Sequence, residues 1–255
     1  MNILQVVLLS VIEGVTEFLP ISSTGHMILA SQILGITETE FVKSFEIIIQ
    51  LGAILAVVFL YWKILIKNTA LWKSVIVAFI PTGIFGLVLY KFVKKFLLGN
   101  TSVVAWSLLI GGIIIILLEM YFKKHPGQKT FEKISPVKTF FIGITQSLSM
   151  IPGVSRAAAT IFGSMGAGMD RKSAVEFSFF LAIPTMFAAS ALDLVKTRLL
   201  FSSADYLLIA VGFVCSFLVA AITVKYFLKY VQKHNFMAFG AYRIILGIIF
   251  ILFSV

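Results

Sequence analysis

Stretches of about 20 mostly apolar residues, the length a helix needs to cross the hydrocarbon core of a bilayer, recur at Phe41–Trp62, Lys73–Tyr90, Val103–Phe122, Ser173–Leu194, Tyr206–Tyr230 and Phe236–Val255. At that depth the backbone has no water to turn to, so every amide and carbonyl must be paired within its own helix. Only 13% of the 255 residues are charged and the mean hydropathy is +1.05, against roughly 25% charged residues in soluble domains. The expected fold class is an all-α integral membrane protein that crosses the bilayer several times. The N-terminus has no basic run and its apolar residues lead into an acidic cluster, so this first segment is expected to stay in the fold and not to be removed as a signal peptide.

Two further apolar regions, Met1–Leu34 and Pro136–Gly168, are interrupted near the middle, by Pro20 with Ser22-Ser23-Thr24-Gly25 and by Pro152-Gly153. Proline lacks the amide hydrogen and disfavours helix in the residue before it. Each region therefore reads as two half-helices joined by a turn, with a single kinked span as the alternative. Irregular backbone at membrane depth needs cover from protein or a water-filled cavity. The expected architecture is six transmembrane helices plus two re-entrant helix hairpins lining a shared cavity.

The two halves of the chain resemble each other. Ser10-Val11-Ile12-Glu13-Gly14-Val15-Thr16-Glu17 aligns with Gly143-Ile144-Thr145-Gln146-Ser147-Leu148-Ser149-Met150, and Ser22-Ser23 falls on Ser155-Arg156. Phe45-Glu46 matches Val175-Glu176, and Asn100 with Gly112 matches Asn235 with Gly247. Each half holds one hairpin, which returns to its own side, and three spans, which do not. A single membrane domain over 1–255, built of two inverted repeats at about 1–122 and 134–255, follows, an organisation seen in many secondary transporters.

Thirteen Lys and Arg residues between Lys63 and Lys233 fall on the side opposite the N-terminus. Six, Lys43, Lys91, Lys94, Lys95, Lys196 and Arg198, fall on the N-terminal side. Cytoplasmic loops are the basic ones, so both termini are expected outside, with the Lys123–Lys138 loop in the cytoplasm and the first hairpin entering from the outer face. The same spread of cations through short loops accounts for the +10 net charge, and no nucleic acid partner is expected. The single cysteine, Cys215, excludes an intrachain disulfide and a thiolate metal cluster, and its apolar neighbours make it a packing residue. Nothing in the sequence fixes the oligomeric state, and a homodimer is left open.

Polar residues inside membrane segments are costly and point to function. Glu13 and Glu17, four apart, present neighbouring carboxylates on one helix face. Such a pair is stable at low dielectric if a cation bridges it or if one member takes a proton. It could thus hold Mg²⁺ together with phosphate oxygens, or supply an acid or base. Ser22, Ser23 and Thr24 follow Pro20 at the start of a half-helix, where hydroxyls cap free amides and where the amides and dipole attract phosphate. His26, three residues after Ser23, lies on the same face and pairs a base with a nucleophile. Arg156, after Pro152-Gly153-Val154-Ser155, offers a planar fork to phosphate, or else pairs with Glu13 or Glu17. Gln146 either lines the cavity or bonds between helices. Glu46 and Glu176 read as structural, Glu119, Asp193 and Arg243 as facing the membrane interfaces, and His125 and His234 as solvated.

The runs Glu13-Gly14-Val15-Thr16-Glu17-Phe18-Leu19-Pro20-Ile21-Ser22-Ser23-Thr24-Gly25-His26 and Pro152-Gly153-Val154-Ser155-Arg156 resemble the undecaprenyl-diphosphate phosphatase family of bacitracin-resistance proteins. Similarity continues through Phe45-Glu46-Ile47-Ile48-Ile49-Gln50-Leu51-Gly52 and Glu176-Phe177-Ser178-Phe179, and so spans essentially the whole chain. The resemblance implies removal of the terminal phosphate from a C55 polyprenyl diphosphate lipid at the outer face of the bacterial plasma membrane, for cell-wall synthesis. It also implies a divalent cation cofactor, Mg²⁺ or Ca²⁺, with Glu13 and Glu17 as its ligands. Catalytic roles carry over to Glu13, Glu17, Ser23, His26 and Arg156, with Ser22, Thr24 and Ser155 lining the site; Gly153, and Gln146 as the repeat partner of Glu13, are expected to bind substrate beside them. One departure is visible: Ala157-Ala158 follow Arg156 where the family commonly has Ser-Gly, so that hydroxyl is absent here.

On this reading Ser23 attacks the terminal phosphorus with His26 or Glu17 as base. Direct attack by water is the alternative chemistry. A lipid-phosphate transporter or flippase is the alternative function, which the repeat leaves open.

Overall fold

The computed structural model describes residues 1–37, 39–93, 97, 100–196 and 202–253. It is helical, with α1 Ile3–Thr16, α2 Ser23–Ile33, α3 Glu40–Lys67, α4 Thr69–Phe92, α5 Thr101–Lys124, α6 Pro136–Ser147, α7 Arg156–Gly166, α8 Arg171–Lys196, α9 Ser203–Val231 and α10 Met237–Phe253. Five of these helices, α3, α4, α5, α8 and α9, are long and apolar enough to cross a membrane, while α10, at 17 residues, is shorter. Large apolar side chains such as Phe59, Ile66, Leu87, Trp106, Leu117, Leu218 and Leu252 are exposed around the outside. A surface this apolar is at home in lipid and not in water. The fold is that of a multi-pass membrane protein.

Both interrupted regions are helix hairpins. α1 opens with a capping box, in which Asn2 and Gln5 each accept the other's amide at 2.9 Å. It stops at Glu17, and a turn containing Pro20 leads into α2. α6 starts with Pro136 behind the Ser135 cap and ends in a 3₁₀ turn at Leu148–Met150, and Pro152-Gly153 then leads into α7. The Gln5 amide nitrogen bonds the Leu34 carbonyl at 3.1 Å, and the Lys138 ammonium bonds the Ala167 carbonyl at 3.1 Å. In each case the start of the first helix meets the end of the second, which a single kinked span cannot do. Helices of 14, 11, 12 and 11 residues rise at about 1.5 Å per residue and fall well short of the roughly 30 Å hydrocarbon core.

Packing between helices follows a pattern of exchange. α1 packs on α9 as α6 packs on α4, α3 packs on α9 as α8 packs on α4, and α5 packs on α10. Four of these approaches need the absence of a side chain, at Gly14, Gly143, Gly52 and Gly112. A Cβ on Gly14 would meet the Ser216 carbonyl, and one on Gly143 would run into the Ala78 carbonyl, so α1 and α6 lie directly against the backbones of α9 and α4. Between the layers sit Phe18, Phe177, Phe179, Phe180, Phe227 and Phe236, all buried. Phe18 meets Phe179 edge to face at 5.4 Å, which docks the first turn against α8.

The interface-facing residues are placed differently from expectation. Glu119 is 2% exposed and is bonded by Arg171 of α8 at 2.6 Å, so it is buried in an ion pair between helices and does not face outward. Arg243 is fully buried. The side chain of Asp193 lies outside the described residues, as do Lys94, Lys95, Arg198 and the side chain of Lys196.

Candidate active site

The two turns meet, and Glu17 is the residue they share. Its Oε2 accepts from the Ser23 hydroxyl at 2.6 Å and its Oε1 from the Arg156 guanidinium at 2.9 Å. Glu17 caps α1, Ser23 begins α2 and Arg156 begins α7, so three helix ends converge on one carboxylate. The other terminal nitrogen of Arg156 donates to the Ser178 carbonyl at 3.1 Å, and the guanidinium lies 5.7 Å from the centre of the Phe18 ring. Side-chain exposures of 10% for Arg156 and 4% for Glu17 make this a desolvated pair, in which removing one partner strands the other.

Ser22 and Ser155, the caps of α2 and α7, have φ of 70° and 76°. Among the described residues they alone, apart from glycines, have positive φ. Their hydroxyls accept from the Gly25 and Ala158 amides at 3.4 and 3.2 Å. A left-handed conformation at a residue with a Cβ is strained, and such strain gathers at functional sites. It occurs here at two positions that the internal repeat aligns. Gly153, at φ 91°, sits where a Cβ would strike Ser107 and the Val104 carbonyl, bringing the second turn close to α5.

Glu13, one turn before Glu17, is 3% exposed, and its Oε1 has no hydrogen-bond partner among the described residues. It lies within electrostatic reach of Glu17, Glu46 and Arg156. Glu46, read from the sequence as structural, thus belongs to the neighbourhood of the site. Among the described residues no cluster of three or more His, Cys, Asp or Glu could cage a metal. A buried carboxylate oxygen without a donor, beside a second carboxylate, nevertheless fits a hard divalent cation whose remaining ligands are phosphate oxygens and water.

His26 is not bonded to Ser23. Its Nδ1 lies 2.8 Å from the Ser22 carbonyl and its Nε2 lies 2.7 Å from the Tyr242 hydroxyl, with the two rings stacked. A carbonyl can only accept, so in the neutral ring Nδ1 carries the proton and Nε2 accepts from Tyr242. The side chain bonded to the Ser23 hydroxyl is that of Glu17. Thr24 is exposed on the outer side of α2. The Gln146 amide nitrogen bonds Thr82 at 2.8 Å and Thr185 at 3.1 Å, which joins α6 to α4 and α8, while its Oε1 has no partner among the described residues. Beside the second turn, between α5 and the α6–α7 hairpin, lies a cavity of about 930 Å³ with walls such as Trp106, Ile114, Phe141 and Ala159.

Fold and geometry together define a multi-pass membrane protein that assembles a hydroxyl, a carboxylate and a guanidinium at two broken helices. A family model described as "Bacitracin resistance protein BacA" matches residues 6–249. A curated protein named undecaprenyl-diphosphatase from Aquifex aeolicus is 51% identical over 249 residues, covering 98% of this chain and 97% of that protein. Proteins of the same name from Persephonella marina and Methanococcus aeolicus are 49% and 46% identical, covering 99% and 100% of both chains respectively. The chain belongs to the BacA family of bacitracin resistance proteins.

Proposed function

We propose that this protein hydrolyses undecaprenyl diphosphate to undecaprenyl phosphate and inorganic phosphate, the activity that the names of its relatives state. The observation that carries the reading is the Ser23 hydroxyl on Glu17, with Arg156 on the other oxygen of that carboxylate. Ser23 Oγ attacks the terminal phosphorus as its proton passes to Glu17. The bond from phosphorus to the bridging oxygen breaks, and undecaprenyl phosphate leaves. Arg156 and the amides at the starts of α2 and α7 hold the negative oxygens of the transferred group. Water then attacks the phosphoseryl phosphorus: as the bond to Ser23 Oγ breaks, Glu17 returns the first proton to that oxygen, and the carboxylate so regenerated takes the proton of the attacking water and passes it to the departing inorganic phosphate. Glu13 and Glu17 would hold a divalent cation, Mg²⁺ or Ca²⁺, which when bound adds positive charge for the phosphate oxygens. The isoprenoid tail stays in apolar surroundings, to which the cavity beside the second turn opens.

Purified protein should release phosphate from the lipid diphosphate and stop doing so in EDTA. Glu13→Gln leaves the Ser23–Glu17 bond in place and should raise the cation concentration needed for half-maximal rate. Full activity in EDTA would remove the cation from the scheme. No phosphate release at all from the wild type would instead favour a transporter.

The two hairpins enter the bilayer from opposite faces as re-entrant elements, α10 forms the sixth span, and the site opens to the outer leaflet of a bacterial plasma membrane. The exchange pattern of helix packing and the basic side of the chain support this orientation. In a Cys215→Ala background, Gln128→Cys in the Lys123–Lys138 loop should be shielded from an impermeant thiol reagent in intact cells, and Thr37→Cys should react. The opposite labelling would turn the molecule over.

A further inference from the structure

Arg243, on α10, bonds only backbone carbonyls among the described residues. One terminal nitrogen donates to Pro20 at 3.3 Å and Val154 at 2.9 Å, the other to Gly153 at 2.7 Å and Ser107 at 3.0 Å. Pro20 lies in the first turn, Gly153 and Val154 in the second, and Ser107 on α5. A single side chain therefore joins the two turns to each other and to a long helix. None of the ion pairs among the described residues includes it. A buried cation without a carboxylate is an expensive way to fill space that an apolar side chain fills at lower cost.

Its partners show what the charge accomplishes. A trans peptide sets each carbonyl opposite the next amide. The Val154 carbonyl that faces Arg243 therefore turns the Ser155 amide away from it, at one of the two strained caps. The other link between the turns, Arg156 to Glu17, weakens during turnover, because Arg156 then shares its fork with phosphate and Glu17 takes up a proton. The Arg243 contacts involve no group that changes charge.

We propose that Arg243 is a positioning residue for the reaction: it holds the turn carrying Glu17 and Ser23 in register with the turn carrying Arg156, without touching substrate. This rests on the phosphatase reading above.

Gly111 supplies the test. The guanidinium lies against it, and a Cβ there would overlap the terminal nitrogen and central carbon of Arg243. What must yield in Gly111→Ala is the flexible end of a side chain, so the fold should survive while the fork is pushed off the carbonyls. Displacement of reacting groups by about 1 Å costs on the order of 10²-fold in rate. Folded Gly111→Ala should lose about that much in kcat with KM little changed, the pattern of an interaction that counts in the transition state. Arg243→Lys should resemble it, since an ammonium cannot span both turns, and added guanidinium should restore part of the rate to Arg243→Ala. Wild-type kcat in folded Gly111→Ala, or a loss in Arg243 variants that only follows the unfolded fraction and resists guanidinium, would overturn the proposal. Absence of phosphate release from the wild type would defeat the phosphatase reading instead.

Discussion

Arg156→Ala is expected to lower kcat by two to three orders of magnitude, about 3–4 kcal/mol of transition-state stabilisation. Two separate losses meet in this variant. The transferred phosphate loses a planar donor, and Glu17, with 4% of its side chain exposed, loses its guanidinium partner. Breaking a desolvated pair on one side costs roughly 3–5 kcal/mol of stability, so the melting temperature should fall too. The rate must therefore be taken per mole of folded protein. Arg156→Lys should recover little, because an ammonium cannot reach Glu17 and the Ser178 carbonyl with the spacing of the fork. Near-normal turnover in folded Arg156→Ala would take this residue out of the site.

Ser23→Ala should cost more, roughly 10³-fold or beyond, as loss of a nucleophile does, while leaving substrate binding to Arg156 and the helix amides. Glu17→Gln keeps the shape of the side chain but removes the proton acceptor 2.6 Å from the hydroxyl, and should be comparably severe. Because the two act as one unit, the double variant should be no slower than the slower single variant. Independent, multiplying effects in steady-state phosphate release would mean that Glu17 does not serve Ser23.

Much of this arrangement was legible in the sequence because it is local. Apolar runs of spanning length, a proline with hydroxyls after it, and carboxylates four apart each carry their meaning within a dozen residues. Pro20 and Pro152 mark the two breaks, and the alignment of Ser22 with Ser155 anticipates the strained caps without revealing that they are strained. Arg243 was misplaced because its partners are carbonyls up to 223 residues away, and a carbonyl leaves no mark in a sequence. Glu119 was misplaced for the same kind of reason, its Arg171 lying on another helix.

The pairing of Ser23 with His26 failed on direction and not on spacing. Residues three apart share a helix face, but the His26 side chain turns back to the Ser22 carbonyl and across to Tyr242. Glu17, on the preceding helix, takes the place at the hydroxyl. The folded-back turn, which the prolines announce, brings this about.

Covalent catalysis by Ser23 is the central claim, and rapid-quench trapping with substrate carrying ³²P in the terminal phosphate tests it most directly. Peptide mapping after quenching during turnover should place the label on the peptide containing Ser23, with none in Ser23→Ala. Reproducible absence of label from wild-type enzyme that is actively releasing phosphate would contradict the account, and would leave Ser23 as a phosphate ligand beside an attacking water.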